Sequence, residues 1–447
     1  MSLKPSTYST IEILGRDGRT ADVRLATVSV DYYEDILCPT VSLKIQIADA
    51  GGSIKSSDGG ETLSLYDGMK LRGGERVFLR IEPNSATNIP LDFSERGLYI
   101  RGIKNLIRDG DKEVFEIHLI SLEAAENEVI FLKRLYPEGK RISDHVADII
   151  SESFSDPGEV DIDPTTNPTG FQGNQEHPFK ILTSLASKSV NGDGLNGSAG
   201  YFFYQTAKGF KFKSIDTLIS KPVVAEYFYS ERNYTPISFR PTPDLPSLDQ
   251  KIVKYEVIKN NDIIANLKKG AYSTEKRFFD PTNFLVTTPK RGGSNFGLEN
   301  YFEKVKNLGD IFGIDSTDLV GAAFNILGTP SKIITQTIDR GTNSKEEVTQ
   351  KENQEIEKIY SQRAMRYNTL FTQAMSLMVP LNSNIEAGSI IKVNVPKITP
   401  DARIENETEQ ISGLYMVKEV CHHYDPYGSW SSMMVIRDTY GSINPNV

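Results

Sequence analysis

Along residues 11–123, apolar and polar positions alternate in short runs separated by glycine and aspartate. Val41, Leu43, Ile45 and Ile47 alternate with Ser42, Lys44 and Gln46, and Phe115, Ile117 and Leu119 alternate with Glu116 and His118. A period of two with turn residues between the runs predicts antiparallel strands buried on one face. Asp109-Gly110-Asp111 marks a tight hairpin, because Asp-Gly accepts the positive φ values of such a turn. Residues 1-122 are expected to form a β-domain.

The period then lengthens to that of a helix, over 123–135 and again over 143–154, where Val146, Ile149, Ile150 and Phe154 share a face and Ser143 is the expected N-cap. His177-Pro178 opens another amphipathic helix carrying Phe179, Leu182, Leu185 and Ala186. Tyr201-Phe202-Phe203-Tyr204 and Phe210-Lys211-Phe212-Lys213 flank Ala207-Lys208-Gly209, which predicts an aromatic hairpin. Residues 123-225 therefore read as an α+β accessory domain. Strand patterning returns over 251–257 and 267–279 and runs again from Met375 to Arg437. Between these, 291-361 is polar, glycine-bearing and helical, with a charged, solvated helix over 345–357. The second β-domain is thus expected to be discontinuous, 226-290 and 362-447.

The end of the chain restates the end of the first β-domain. Leu98-Tyr99-Ile100 recurs as Leu414-Tyr415-Met416, and the same offset carries Asp109 onto Asp425 and Ile117 and Leu119 onto Met433 and Val435. Upstream, the run from Gly73-Gly74 to Pro83 resembles that from Ala387-Gly388 to Pro396. Two related β-domains per chain would give a trimer six similar β-units around one axis.

Composition narrows the classes. At 447 residues, two to four domains are expected, and 38% hydrophobic with 24% charged residues is globular composition. A net charge of -9 disfavours a sequence-independent grip on nucleic acid. Cys38 and Cys421 sit in strand-like apolar settings and read as free thiols. The N-terminus lacks a secretory pattern, and the apolar stretch 319–327 is shorter than a membrane span.

The run Ser412-Gly413-Leu414-Tyr415-Met416-Val417-Lys418-Glu419-Val420-Cys421-His422-His423, followed by Ser432-Met433-Met434-Val435-Ile436-Arg437-Asp438-Thr439-Tyr440-Gly441, resembles the closing segment of baseplate hub proteins of T-even-like contractile-tailed phages, cyanophage type. Phe115-Glu116-Ile117-His118-Leu119-Ile120-Ser121 with Glu126-Asn127-Glu128 is similar to that family's exit from its first barrel, and 173–188 with 200–218 to its α+β domain. The resemblance implies a mainly β fold with α+β parts: two related tube-like β-barrel domains and two smaller accessory domains, in a trimeric ring of pseudo-six-fold symmetry. It implies a non-enzymatic virion protein of the tail baseplate, made in the host cytoplasm. Its partners would be itself as a homotrimer, a central spike, tail tube or tube-initiator proteins and other baseplate proteins. DNA would pass through without specific binding, and no membrane insertion is implied.

Catalytic signatures are sparse. The histidines are His118, His145, His177, His422 and His423; the last two flank Cys421, but neighbours on a strand point to opposite faces and ligate one metal poorly. No His-Glu-x-x-His, Cys-x-x-Cys or Gly-x-Ser-x-Gly occurs. Arg291-Gly292-Gly293-Ser294-Asn295-Phe296-Gly297 lacks the Lys-Ser/Thr of a phosphate loop and reads as a linker. The acidic pairs Glu256 with Asp262 and Glu34 with Asp35 read as solvated surface. No catalytic, cofactor-binding or metal residue is nominated. Two other classes remain open: an extracellular glycan- or peptidoglycan-cleaving enzyme, and a carbohydrate-binding adhesin stacking sugars on the aromatic hairpin or Trp430.

Overall fold

The computed structural model describes residues 3–51, 54–55, 62–83, 87–110, 112–137, 139–191, 199–229, 248–271, 273–280, 284–287, 296–297, 331–337, 354–396 and 410–438. The chain is mainly β. Thirteen strands join one large sheet: β1 (Ser6–Leu14), β2 (Thr20–Asp22), β3 (Thr27–Asp35), β4 (Ser42–Asp49), β5 (Arg76–Pro83), β6 (Leu91–Asp109), β7 (Lys112–Ile120), β8 (Val223–Phe228), β9 (Lys254–Asn260), β10 (Gln373–Pro380), β11 (Ile390–Asn394), β12 (Gly413–Tyr424) and β13 (Trp430–Arg437). Their order is β9-β10-β13-β12-β3-β4-β7-β6-β5-β1-β2, with β11 beside β12 and β8 beside β11.

Two five-strand units lie within it, β3-β4-β7-β6-β5 and β9-β10-β13-β12-β11, with the same neighbour order and chain order and antiparallel pairing throughout. Alternation fills both cores. Leu43, Ile45 and Ile47 of β4 are buried in one, and Met375, Leu377 and Val379 of β10 in the other. Ile117 and Leu119 do correspond to Met433 and Val435, since each pair faces the same core. The strand before them needs a correction. Ile100 pairs with Leu119, and Val417 pairs with Val435, so Leu98-Tyr99-Ile100 corresponds to Tyr415-Met416-Val417, one residue beyond the gapless alignment. One residue fewer lies between Val417 and Val435 than between Ile100 and Leu119, and a one-residue slip on a strand exchanges its faces. The sixth strand also differs: β1 runs antiparallel to β5, whereas β8 runs parallel to β11.

The turn into β5 recurs before β11. Gly74 N–H donates to Ile100 O at 2.7 Å and Ile100 N–H to Glu75 O at 2.9 Å; Gly388 N–H donates to Val417 O, and Val417 N–H to Ser389 O, both at 2.8 Å. Both glycines hold positive φ, 87° and 80°.

Between the units, α1 (Leu122–Val129), α2 (Ile142–Ser153) and α3 (Pro178–Lys188) accompany the hairpin of Tyr201–Thr206 and Gly209–Ser214, beside which Glu159–Ile162 runs parallel. Phe154, Phe179, Phe203 and Phe210 pack at their centre. Arg141, not Ser143, precedes α2, so the helix starts two residues earlier than expected; among α1, α2 and α3 the capping hydroxyl is that of Ser121, which accepts from Ala124 N–H ahead of α1.

After Asn260 the chain leaves the large sheet. Residues read as strand over 267–279 divide into a helix, Ile263–Lys269, capped by Asp262 and ended by Gly270 at positive φ, and a strand, Ser273–Asp280. That strand pairs in parallel with Lys332–Thr337, a strand inside the segment expected to be helical. Helix α4 (Gln354–Thr369) then leads back into β10. The phosphate-loop-like residues 291–295, the apolar stretch 319–327 and most of the charged stretch 345–357 lie outside the described residues.

A side chain at either turn glycine meets the left-handed backbone, and at 388 it also meets the Tyr204 hydroxyl, 2.7 Å from the added carbon. Gly74→Ala is expected to cost roughly 1–3 kcal/mol for the backbone, and Gly388→Ala more. Chemical denaturation of the two variants checks the ranking.

Candidate assembly site

The seam between the two units is a backbone ladder. A bulge between Val417 and Glu419 ends the course of β12 beside β11 and carries its second half onto β3. Glu419 to Tyr424 then pair with Asp35 to Val30, each position opposite its partner. β12 is therefore shared: one edge pairs with β13 of its own unit in both halves, while the other edge pairs with β11 in the first half and with β3 in the second.

Side chains lock the ladder from both faces. His422 is buried; its Nε2 lies 2.9 Å from Ile385 O and its Nδ1 2.8 Å from Ser431 Oγ. Burial pushes this imidazole down to about 4, so it is neutral near pH 7, with Nε2–H donating to the carbonyl and Nδ1 accepting from Ser431. On the other face, His423 Nδ1 is 2.5 Å from Asp31 Oδ1, and its ring stacks on Trp430 at 3.6 Å. Asp31 also pairs with Lys44 at 3.0 Å. Burial works against it, but hydrogen bonds from His423 and Lys44 hold its carboxyl below the usual range. The adjacent histidines thus point apart, as strand geometry requires. At the ladder's end, Tyr8 OH donates to Tyr424 O at 2.9 Å, and Ser6 and Ser429 hydroxyls meet at 2.8 Å.

Beside the seam, Glu34 joins three parts of the chain. Its carboxylate accepts from Tyr32 OH at 2.6 Å, from Ala207 N–H of the aromatic hairpin at 3.0 Å and from Ala387 N–H of the turn before β11 at 2.9 Å. The equivalent turn in the first unit shows why this is needed. There, buried Glu75 accepts from Arg72 N–H at 3.0 Å and Gly73 N–H at 2.8 Å. At the corresponding position stands Ser389, whose hydroxyl accepts from Glu386 N–H at 3.1 Å. Serine is too short for the next amide, Ala387, and Glu34 supplies the acceptor from across the seam.

Glu34 corrects the reading of Glu34 and Asp35 as solvated surface: Glu34 is 2% exposed, and Asp35 pairs with Lys418 at 2.9 Å. Strand parity carries the signal, because Val30, Tyr32 and Glu34 fall on one face of β3 and the first two are core. Glu256 is exposed on β9, and Asp262 is a helix cap. Tyr201, Phe203, Phe210 and Phe212 are buried in one core, Phe202 and Tyr204 in another, so their faces offer no surface on which a sugar could stack. Both cysteines are free thiols. Among the described residues, no three His, Cys, Asp or Glu side chains gather where they could hold a metal, and no helix is long and apolar enough to cross a membrane.

No protein-family model and no curated protein sequence matches the chain. Solved structures do. The tail protein from Neisseria meningitidis MC58 aligns with a TM-score of 0.54 at 10% identity, covering 97% of this chain and 97% of that one. The chain has a tail-protein fold. The 43 kDa tail protein of prophage MuSo2 from Shewanella oneidensis aligns similarly, with a TM-score of 0.52 at 10% identity over 96% of this chain and 98% of that one. At such identity the likeness extends to the fold alone, and the seam and junction described above are read from this tail-protein fold's own geometry.

Burial, against the three donors, pushes the Glu34 carboxyl up to about 7 from 4.5. A raised carboxylate pKa means the folded chain holds the proton longer than the unfolded one, so this group's contribution to stability falls as pH rises through that interval. His422 acts in the opposite sense at lower pH. Comparison with Glu34→Gln cancels it: wild type should lose stability relative to that variant between about pH 5 and about pH 7.5, then run parallel. Urea midpoints across the range measure this, and an unchanging difference would remove Glu34 as the titrating group.

Proposed function

We propose that this chain is the structural hub of a phage tail baseplate, a homotrimeric ring that adapts a six-fold tail tube to a three-fold central spike and leaves a channel for DNA. The observation that carries the reading is the repeated five-strand unit: three chains with two like units each present six around one axis, while the rest of each chain keeps three-fold order. The tail-protein fold supports it. In this reading the two units form the cores of two tube-like domains. The α+β module of 123-225 and the segment inserted between Asn260 and Gln373 are the accessory parts.

The role is structural rather than catalytic. A catalytic centre is not needed to join a tube, or its initiator proteins, to a spike and to other baseplate proteins; matched edges and rigid junctions are. The net charge of -9 per chain suits a conduit through which a polyanion passes without sticking. The site of action is the virion tail.

Light scattering on the purified chain, alone and with its spike, should return about three times the 49.8 kDa chain mass, and negative-stain images should show an open ring. A monomer at every concentration, with and without spike, contradicts the proposal.

A further inference from the structure

The internal seam has a counterpart that one chain leaves open. In the second unit, β12 passes β11, crosses its bulge and offers the rest of its length to β3. In the first unit, β6 does the same up to the last step: it parts from β5 near Ile100, crosses a bulge between Ile100 and Gly102, pairs with β7 on one side through Lys104, and after a second irregularity at Asn105 and Leu106 pairs with it again from Ile107 to Asp109. Among the described residues no strand pairs with its other edge there. The strand corresponding to β3 is β9, which pairs with β10 and whose outer edge is also open among the described residues. Both open edges carry exposed apolar side chains, Leu106 and Ile107 at 40% and 64%, and Ile258 at 54%. Unpaired edges with apolar flanks invite strand addition.

We infer that the edge of β6 beyond Gly102 pairs with the outer edge of β9 in a second copy of this chain, antiparallel and in the register of the internal seam. The repeat fixes that register. Gly102, Ile103 and Lys104 pair with His118, Ile117 and Glu116 as Glu419, Val420 and Cys421 pair with Met434, Met433 and Ser432. Tyr33 opposes Ser42 as Lys259 opposes Ala374, with Ile258 an extra residue at an irregularity in β9. Gly102, Ile103 and Lys104 therefore lie opposite Asn261, Asn260 and Lys259 of the next copy.

The side chains agree with this exchange. Where the turn lacks its own carboxylate, at Ser389, the arriving strand brings Glu34. Where the turn has one, buried Glu75, the arriving strand brings neutral Asn260. A glutamate at 260 would set a second carboxylate beside the first. Nor do the two lysines repel strongly, because the Lys259 ammonium is drawn back onto Asn266 Oδ1 at 2.9 Å and Phe371 O at 2.6 Å. Each copy offers one donor edge and one acceptor edge, so the contact is heterologous and closes only as a ring.

This inference rests on the ring reading, and cysteine pairing separates the two. Cα atoms of opposed strand residues lie within disulfide range. Tyr33→Cys, with native Cys421 and Cys38→Ser, is the control and should form a bond within one chain. Lys104→Cys with Lys259→Cys, in a Cys38→Ser, Cys421→Ser background, should give covalent species of up to three chains on non-reducing gels. Neither single variant should cross-link alone, while their mixture should give covalent pairs. Ile258→Asp should raise the concentration needed for assembly roughly tenfold without changing the circular dichroism of the monomer. Rings by microscopy with a bonded control but no bond between 104 and 259 would overturn the strand pairing and leave the ring standing. A bond formed within a single chain would also overturn it. The absence of any oligomer would defeat both readings.

Discussion

The backbone ladder between β12 and β3 is the constraint from which the rest of the architecture follows. Each ladder hydrogen bond contributes only about 0.5–1.5 kcal/mol net, but the donors and acceptors at a seam flanked by two cores have few alternatives to one another. The ladder makes one sheet of two units that could each have been a separate domain, and it sets their relative orientation by hydrogen-bond geometry rather than by side-chain fit. Side chains then defend it: His422 and Tyr32 on the buried face, His423, Asp31 and Lys44 on the other.

Duplicated units usually diverge where they meet something different, and the turn before β5 and β11 is such a place. The backbone pattern of the two turns is the same, yet one satisfies its amides with its own glutamate and the other with a glutamate from the neighbouring unit. That difference converts a local turn into a three-way joint, since Glu34 also holds Ala207 at the tip of the aromatic hairpin. Gly388 packs against Tyr204 and Leu218 from the same direction. The α+β module is thereby fixed to the second unit through residues of the first.

Much of this was legible in the sequence, because period-two alternation places Leu43, Ile45 and Ile47 inside without reference to any partner, and the recurrence of Gly74 and Gly388 marked equivalent turns. The aromatic hairpin was legible for the same local reason, although Gly209, expected in the turn, pairs with Thr206 as the first residue of the second strand. What escaped was whatever depends on counting across irregularities. Bulges at Ile100 and Val417 and the unequal hairpins that follow make any gapless alignment wrong by one residue on one strand. Glu34 escaped because an acid is usually solvated, and only its parity on β3 argued otherwise. The strand at Lys332–Thr337 escaped because its partner, Ser273–Asp280, is remote in sequence and its own run is short.

The neck of the inserted segment bears on how such a chain can vary. Asn260 pairs with Gln373, and Asn261 N–H donates to Thr372 O at 3.0 Å, so the excursion begins and ends on adjacent rungs. In the other unit the same gap is bridged by the few residues between Asp35 and Ser42. The large sheet therefore registers the excursion as a hairpin whatever its length. Evolution, or an engineer, can lengthen, trim or replace the cargo hung there while the sheet's framework keeps its register.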